Sequence, residues 1–196
     1  MVAALGQDVT SKGYQSIVDL TRILNATFDR PEGTQQLTRQ ILVSLFPRWL
    51  LPAFRALFSA PMPQLSCRLN AFVTALTCQW LMGKCTVNDA EDSNGNVLPG
   101  QGVHVERCRY LEETQCASVC INSCKLPTQS FFAKDMGLPL LMEPNYDDFS
   151  CQFSFGRQPP EVDEALSTPC FLQCPTKRPH RSDAGLCQGC DTSAAG

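Results

Sequence analysis

The sequence predicts an α+β protein, in which a helical N-terminal half packs against a small cysteine-rich α+β half with a short antiparallel sheet. Three observations carry this. Apolar residues recur at helical spacing as far as Met82, apolar and polar residues alternate over Cys151–Phe155, and from Lys84 the composition turns polar and rich in cysteine. The boundaries that follow are a helical region 1–83, a cysteine-rich domain 84–175 and a polar tail 176–196.

Ile17, Leu20, Leu24 and Phe28 form one helical stripe, and Leu37, Ile41, Leu42, Leu45 and Phe46 form a second after the break at 31–33. Residues 46–58 are apolar, punctuated by proline and flanked by arginines. They read either as a buried connector helix starting at Pro52 or as an interfacial segment, with Trp49, Leu50, Leu51, Phe54 and Phe58 in peripheral contact with a membrane surface. A third helix is expected over 64–82, where Leu65, Leu69, Phe72, Val73, Leu76 and Trp80 make the face that packs and Gly83 the stop.

Cys85 and Val87 then suggest a strand, 88–102 a polar loop and 103–111 a second strand, together a hairpin with a long loop. Thr128 is placed to cap a short helix ending at Gly137. Residues 138–142 read as extended. Cys151, Phe153 and Phe155 alternate with Gln152 and Ser154 as a half-buried strand closed by Gly156, and 163–166 suggest a helical turn.

The formal charge of -3, without a dense Lys/Arg cluster beyond the loose group Lys177, Arg178 and Arg181, excludes nucleic acid as a partner. No apolar run reaches the roughly 18 residues of a spanning helix. The N-terminus lacks a basic region followed by an apolar run, so no secretory signal is expected and a reducing compartment is favoured. In such a compartment the 12 cysteines point to metal or redox chemistry before structural bridges.

Cys116, Cys120 and Cys124 stand four apart and share one face of an α-helix, yet the outer two would lie about 12 Å apart at 1.5 Å rise per residue. A metal site therefore needs either two of them with ligands from elsewhere, such as Cys108 or Cys151, or a ladder that is not helical. The candidate metal ligands are therefore Cys108, Cys116, Cys120, Cys124 and Cys151; small core residues and disulfides are the alternatives. Cys170 with Cys174, and Cys187 with Cys190, outline a second zinc or iron site; incidental thiols in a disordered tail are the alternative. Two histidines, His104 and His180, exclude a site built on several imidazoles. Glu112, Glu113, Glu143, Asp147 and Asp148 are either oxygen ligands or solvated surface. No activated serine, phosphate-cradling loop or dinucleotide fingerprint is present.

The run Cys108-Arg-Tyr-Leu-Glu-Glu-Thr-x-Cys116-x-x-x-Cys120-Ile-Asn-x-Cys124-Lys-x-Pro-Thr-Gln-x-Phe-Phe132 resembles the Dwarf twenty-seven family of plants and algae. So do Gly137-Leu-Pro-Leu-x-Met-x-Pro-Asn145-Tyr-Asp-Asp-x-Ser-Cys151-Gln-Phe-x-Phe-Gly156 and the Pro-Pro pair that follows. The resemblance implies reversible isomerisation of all-trans-beta-carotene to its 9-cis form in plastids, opening strigolactone biosynthesis, with iron as cofactor, mononuclear or as an iron-sulfur cluster. It implies a carotenoid substrate, for which Phe131, Phe132, Phe153 and Phe155 would line an apolar slot; ordinary core is their alternative role. Two departures from the family are the lack of an evident transit peptide and the Cys187/Cys190 tail. The alternative function is a cysteine-rich iron-sulfur or zinc-binding accessory or electron-transfer protein without isomerase activity. Oligomeric state has no signature in the sequence.

Overall fold

The computed structural model describes residues 1–28 and 30–161. The expected helical turn at 163–166, the polar tail, His180 and the pairs Cys170/Cys174 and Cys187/Cys190 lie outside the described residues. The described residues form two compact units that interleave along the chain. One holds Met1–Ile41 and Tyr110–Pro127; the other holds Leu42–Arg109 and the residues from Thr128 onward. Position 83/84 therefore falls inside the second unit.

In the first unit, α1 (Val2–Leu5) leads to α2 (Tyr14–Thr27), which buries Val18, Leu20, Thr21 and Leu24. The next helix, α3 (Pro31–Ser44), starts at the expected break. Proline suits a first helical turn because its missing N–H has no partner to lose there. After α7 (Arg109–Thr114) comes α8 (Ala117–Cys120), buried throughout and packed on α2. A partly buried polar seam joins these helices: Gln35 Nε2 donates to Asn122 Oδ1 at 2.8 Å, Asn122 Nδ2 to Ser118 Oγ at 3.2 Å, and Asn25 Nδ2 to the same hydroxyl at 3.2 Å. Each amide thereby recovers hydrogen bonds that burial would otherwise cost it.

The second unit is built on a four-stranded antiparallel sheet in the order β1-β2-β4-β3, with β1 Cys85–Glu91, β2 Val97–Val105, β3 Leu140–Pro144 and β4 Cys151–Phe155. The α+β class holds. Most of the expected 88–102 loop is strand, however. The turn shrinks to 92–96, where Asp92 Oδ1 accepts the N–H groups of Asn94 and Asn96 at 2.8 and 2.9 Å, and Gly95 takes a left-handed φ of 81°. Asp89 occupies a bulge and accepts the Gly100 N–H at 2.8 Å. Polar side chains that read as loop are here tying a hairpin together. The second strand stops at Val105, and 109–111 turn into α7.

Ahead of the sheet lie α4 (Leu50–Phe54), a π-helical turn at Arg55–Ser59, α5 (Pro63–Thr77) and α6 (Gln79–Met82). The single helix expected over 64–82 is thus interrupted at Cys78. Packed against β1, β2 and β4, α5 buries Ser66, Cys67, Asn70, Ala71 and Ala75. These small side chains let the helix come close to the sheet. Leu65, Leu69, Phe72, Val73, Leu76 and, beyond the helix, Trp80 are exposed. The face expected to pack is the one turned outward.

After α8 the backbone makes a π turn at Ile121–Lys125, then α9 (Leu126–Phe131), then a further π turn at Phe132–Met136, closed by Gly137 at φ 73°. Pro127 has no N–H and its ring crowds the carbonyl one turn back, which accounts for the widened turn just before it. Thr128 sits inside α9 and caps nothing.

Candidate functional site

The cysteine ladder is not a straight α-helical stripe. Cys116 precedes α8 in extended conformation, at φ -142° and ψ 111°; Cys120 ends α8, and Cys124 lies in the π turn. Cys116 and Cys120 are buried and Cys124 half-buried. Tyr110 lies near Cys124 and Cys120 in the first unit, where burial first, and the neighbouring Cys124 thiol next, push its phenol well above the usual tyrosine range. The expected ligands Cys108 and Cys151 belong to the second unit and are buried there.

On the sheet, Cys85, Val105 and Cys151 stand side by side on β1, β2 and β4. With strands about 4.8 Å apart, Cys85 and Cys151 are separated by roughly two strand spacings. Cys85 has two further thiol neighbours. Burial pushes it up to about 11, and the proximity of Cys78 and Cys108 adds to the effect. Its thiol donates to the Gly83 carbonyl at 3.2 Å, as a protonated group does. Cys67, under α5, is likewise pushed up by burial to about 11. Cys78 and Cys85 were not among the predicted ligands. Their only signal in the sequence is position, one just after the third helix and one opening the first strand.

Among the described residues, no group of three or more His, Cys, Asp or Glu side chains is arranged to hold a metal ion. None of the eight described cysteines is joined in a disulfide. The described donor set does not fit a single iron centre. His104 faces Thr86 and Gln152 across the sheet, and Glu143 pairs with Arg157 at 3.4 Å on the surface.

The phenylalanines do come together. Phe46 stacks on Phe131 at 5.7 Å, Phe131 meets Phe132 edge-on at 5.3 Å, and Phe132 meets Phe155 edge-on at 5.2 Å. These distances and angles are the favoured aromatic arrangements. Phe131, Phe153 and Phe155 are buried and Phe132 half-buried. Phe46 is the member that the sequence did not single out, although it ends the second apolar stripe. Phe153 is buried on β4 between Val103 and Met142.

Of the residues expected at a membrane, Trp49 and Phe58 are exposed and Leu50 and Phe54 half-buried. Leu51 departs from the expectation: it joins Phe131 and Met136 in a buried cluster against which Phe54 also packs. No described helix is long and apolar enough to cross a membrane.

Comparison with known proteins adds an independent line. A family model described as beta-carotene isomerase D27-like, C-terminal, matches residues 80–164. The chain is 34% identical over 180 residues to the Medicago truncatula protein "Beta-carotene isomerase D27, chloroplastic", an alignment covering 91% of this chain and 69% of that one. It is 33% identical over 180 residues to the Arabidopsis thaliana protein of the same name, covering 90% of this chain and 66% of that one. The chain thus spans about two thirds of the length of these relatives. No solved structure matches.

Proposed function

The chain belongs to the beta-carotene isomerase D27-like family, and from that premise we propose that it is a plastid enzyme that interconverts cis and trans beta-carotene. The observation that carries the proposal is the 34% identity to a named beta-carotene isomerase over nearly the whole chain. The specific reaction, all-trans to 9-cis feeding strigolactone-type synthesis, rests on the family resemblance.

The chemistry asks little of acids and bases. Rotation about a polyene double bond requires a lowered bond order at the transition state, and the protein's share is to hold a long hydrocarbon on either side of that bond in a dry, apolar setting. The ring series Phe46, Phe131, Phe132, Phe155 supports such a role, with buried Phe153 beside Val103 on the sheet. Phe132 is the half-buried link, and we assign it the contact with substrate; the buried rings position it. Iron is implied by the resemblance, with the central cysteines as proposed ligands; the roles given to the phenylalanines do not depend on it. An accessory electron-transfer protein is the reading that a lack of turnover would favour.

The test is incubation of the anaerobically purified chain with all-trans-beta-carotene in detergent micelles, with and without added ferrous iron, and separation of isomers by chromatography. A 9-cis product is expected. No interconversion under either condition, starting from all-trans or from 9-cis substrate, overturns the proposal.

A further inference from the structure

We propose that the second unit docks on an anionic lipid bilayer through the outward face of α5 and the apolar turn that precedes it. On a helix of 3.6 residues per turn, Leu65, Leu69, Phe72, Val73 and Leu76 fall within about 100° of the circumference. Leu76 is 64% exposed and Phe72 59%. The opposite side of the helix is already occupied by the sheet. Leu57 and Phe58, in the π turn that adjoins α5, and Met62, just before it, extend the exposed apolar surface. Such a surface exceeds the scattered apolar residues of an ordinary protein exterior.

Two further observations say what covers it. The chain has two tryptophans, Trp49 and Trp80; both lie in this stretch, and they are 68% and 64% exposed. Indole rings with one apolar and one wet end favour the headgroup boundary of a bilayer. The chain is acidic overall, with 19 acidic against 16 basic residues, yet no acidic residue occurs between Glu32 and Asp89. Arg48, Arg55, Arg68 and Lys84, all exposed, fall in that interval within the second unit. Arg55 and Arg68 donate to the Lys134 and Pro99 carbonyls at 3.2 and 2.9 Å, and Lys84 pairs with Glu106 at 2.6 Å.

An apolar stripe accompanied by arginines complements an anionic headgroup layer over hydrocarbon. It does not complement itself, since a symmetric contact between two copies would set the arginines of one against those of the other. The surface stands on exposure and charge alone. The isomerase reading gives it a use, because beta-carotene is a hydrocarbon that dissolves in the bilayer and not in water.

Flotation of the full chain with phosphatidylcholine vesicles, with and without phosphatidylglycerol, tests the proposal. The wild type is expected to float with the anionic vesicles, its tryptophan emission shifted to the blue and quenched by brominated lipid. The double variant Phe72→Ser, Leu76→Ser, with an unchanged thermal melt, is expected to partition about tenfold more weakly or less still. Arg48→Gln is expected to weaken binding to anionic vesicles only. Wild type that stays in solution with both vesicles overturns the proposal, and so does unquenched tryptophan or a double variant that floats like wild type. A concentration-dependent dimer abolished by the double variant, without vesicle binding, assigns the face to a second copy and also overturns it. Isomerisation measured in micelles is expected to survive in the double variant, which separates failure of docking from failure of the enzymatic proposal.

Discussion

Gly102 is where the sheet depends on a missing side chain. It pairs with Asn88 on β1 and Ser154 on β4, while Asn88 and Gln152 exchange two amide hydrogen bonds across it, each of 3.0 Å. A Cβ at this position would fall onto Asn88 Oδ1 and lie 2.9 Å from Gln152 Nε2. Gly102→Ala is therefore expected to cost about 2 kcal/mol in urea unfolding, two net hydrogen bonds of about 1 kcal/mol each, and Asn88→Ala added to it should recover part of the loss. A neutral single variant would show that the amide pair contributes nothing. The buried thiols give a second expectation. Cys67 and Cys85 are raised from 9.0 to about 11, so between these values the native state keeps protons that the unfolded chain releases. Stability is then complete below about pH 9 and falls as pH rises toward 11, with a slope no steeper than about 1.4 kcal/mol per pH unit for each thiol. Cys67→Ala should flatten the fall measured by denaturant melts across this range. The importance of the cysteines was legible in their number and spacing. The closeness of Cys78, Cys85 and Cys108 was not, because it arises from strand pairing and chain return that local spacing does not encode.

At the scale of elements, α5 inverts the usual arrangement of an amphipathic helix. Its sheet-facing residues are small, and its large apolar residues face away. Ala71, fully buried, should not tolerate bulk: Ala71→Leu is expected to lose about 1–3 kcal/mol by overpacking, whereas Phe72→Ser at the next position should change stability by no more than about 0.5 kcal/mol. Equal losses at both positions in thermal or urea melts would mean that Phe72 is covered in solution. Periodicity read from the sequence found this helix and its apolar stripe, but it carries no information on which side meets the protein. The same limit explains the hairpin. Asn88, Asp89, Asp92 and Asn96 carry the composition of a loop, and their hydrogen bonds to one another and to backbone make them a bulged, tightly turned pair of strands. Nor do the π turns have a periodic signal, since one residue is accommodated in the winding without changing the apolar character around it.

For the molecule as a whole, the α+β class was legible because helical and alternating periods occupy different stretches of the chain, and the strand Cys151–Phe155 appeared where its pattern put it. The interleaving of two units was not, since it depends on residues 110–127 grouping with the N-terminal helices while the segments on either side join the sheet. The distribution of donors bears on how iron would act. Each unit is closed by its own means, the first by the Gln35–Asn122–Ser118–Asn25 seam over α2, the second by the sheet and the Leu51, Phe131 and Met136 cluster. Both rest on side-chain hydrogen bonds, strand pairing and apolar packing, in contrast to small domains whose folding energy is metal-binding energy. Treatment with a strong iron chelator is therefore expected to leave the thermal unfolding midpoint of the full chain within about 2 °C of the untreated protein, a shift of a fraction of a kcal/mol for a domain of this size. Activity in the micelle assay is a separate readout, and the iron reading predicts that it falls. A midpoint lowered by 10 °C or so would mean that a metal organises the fold, and the thiols would then have to converge in a way that the described residues do not.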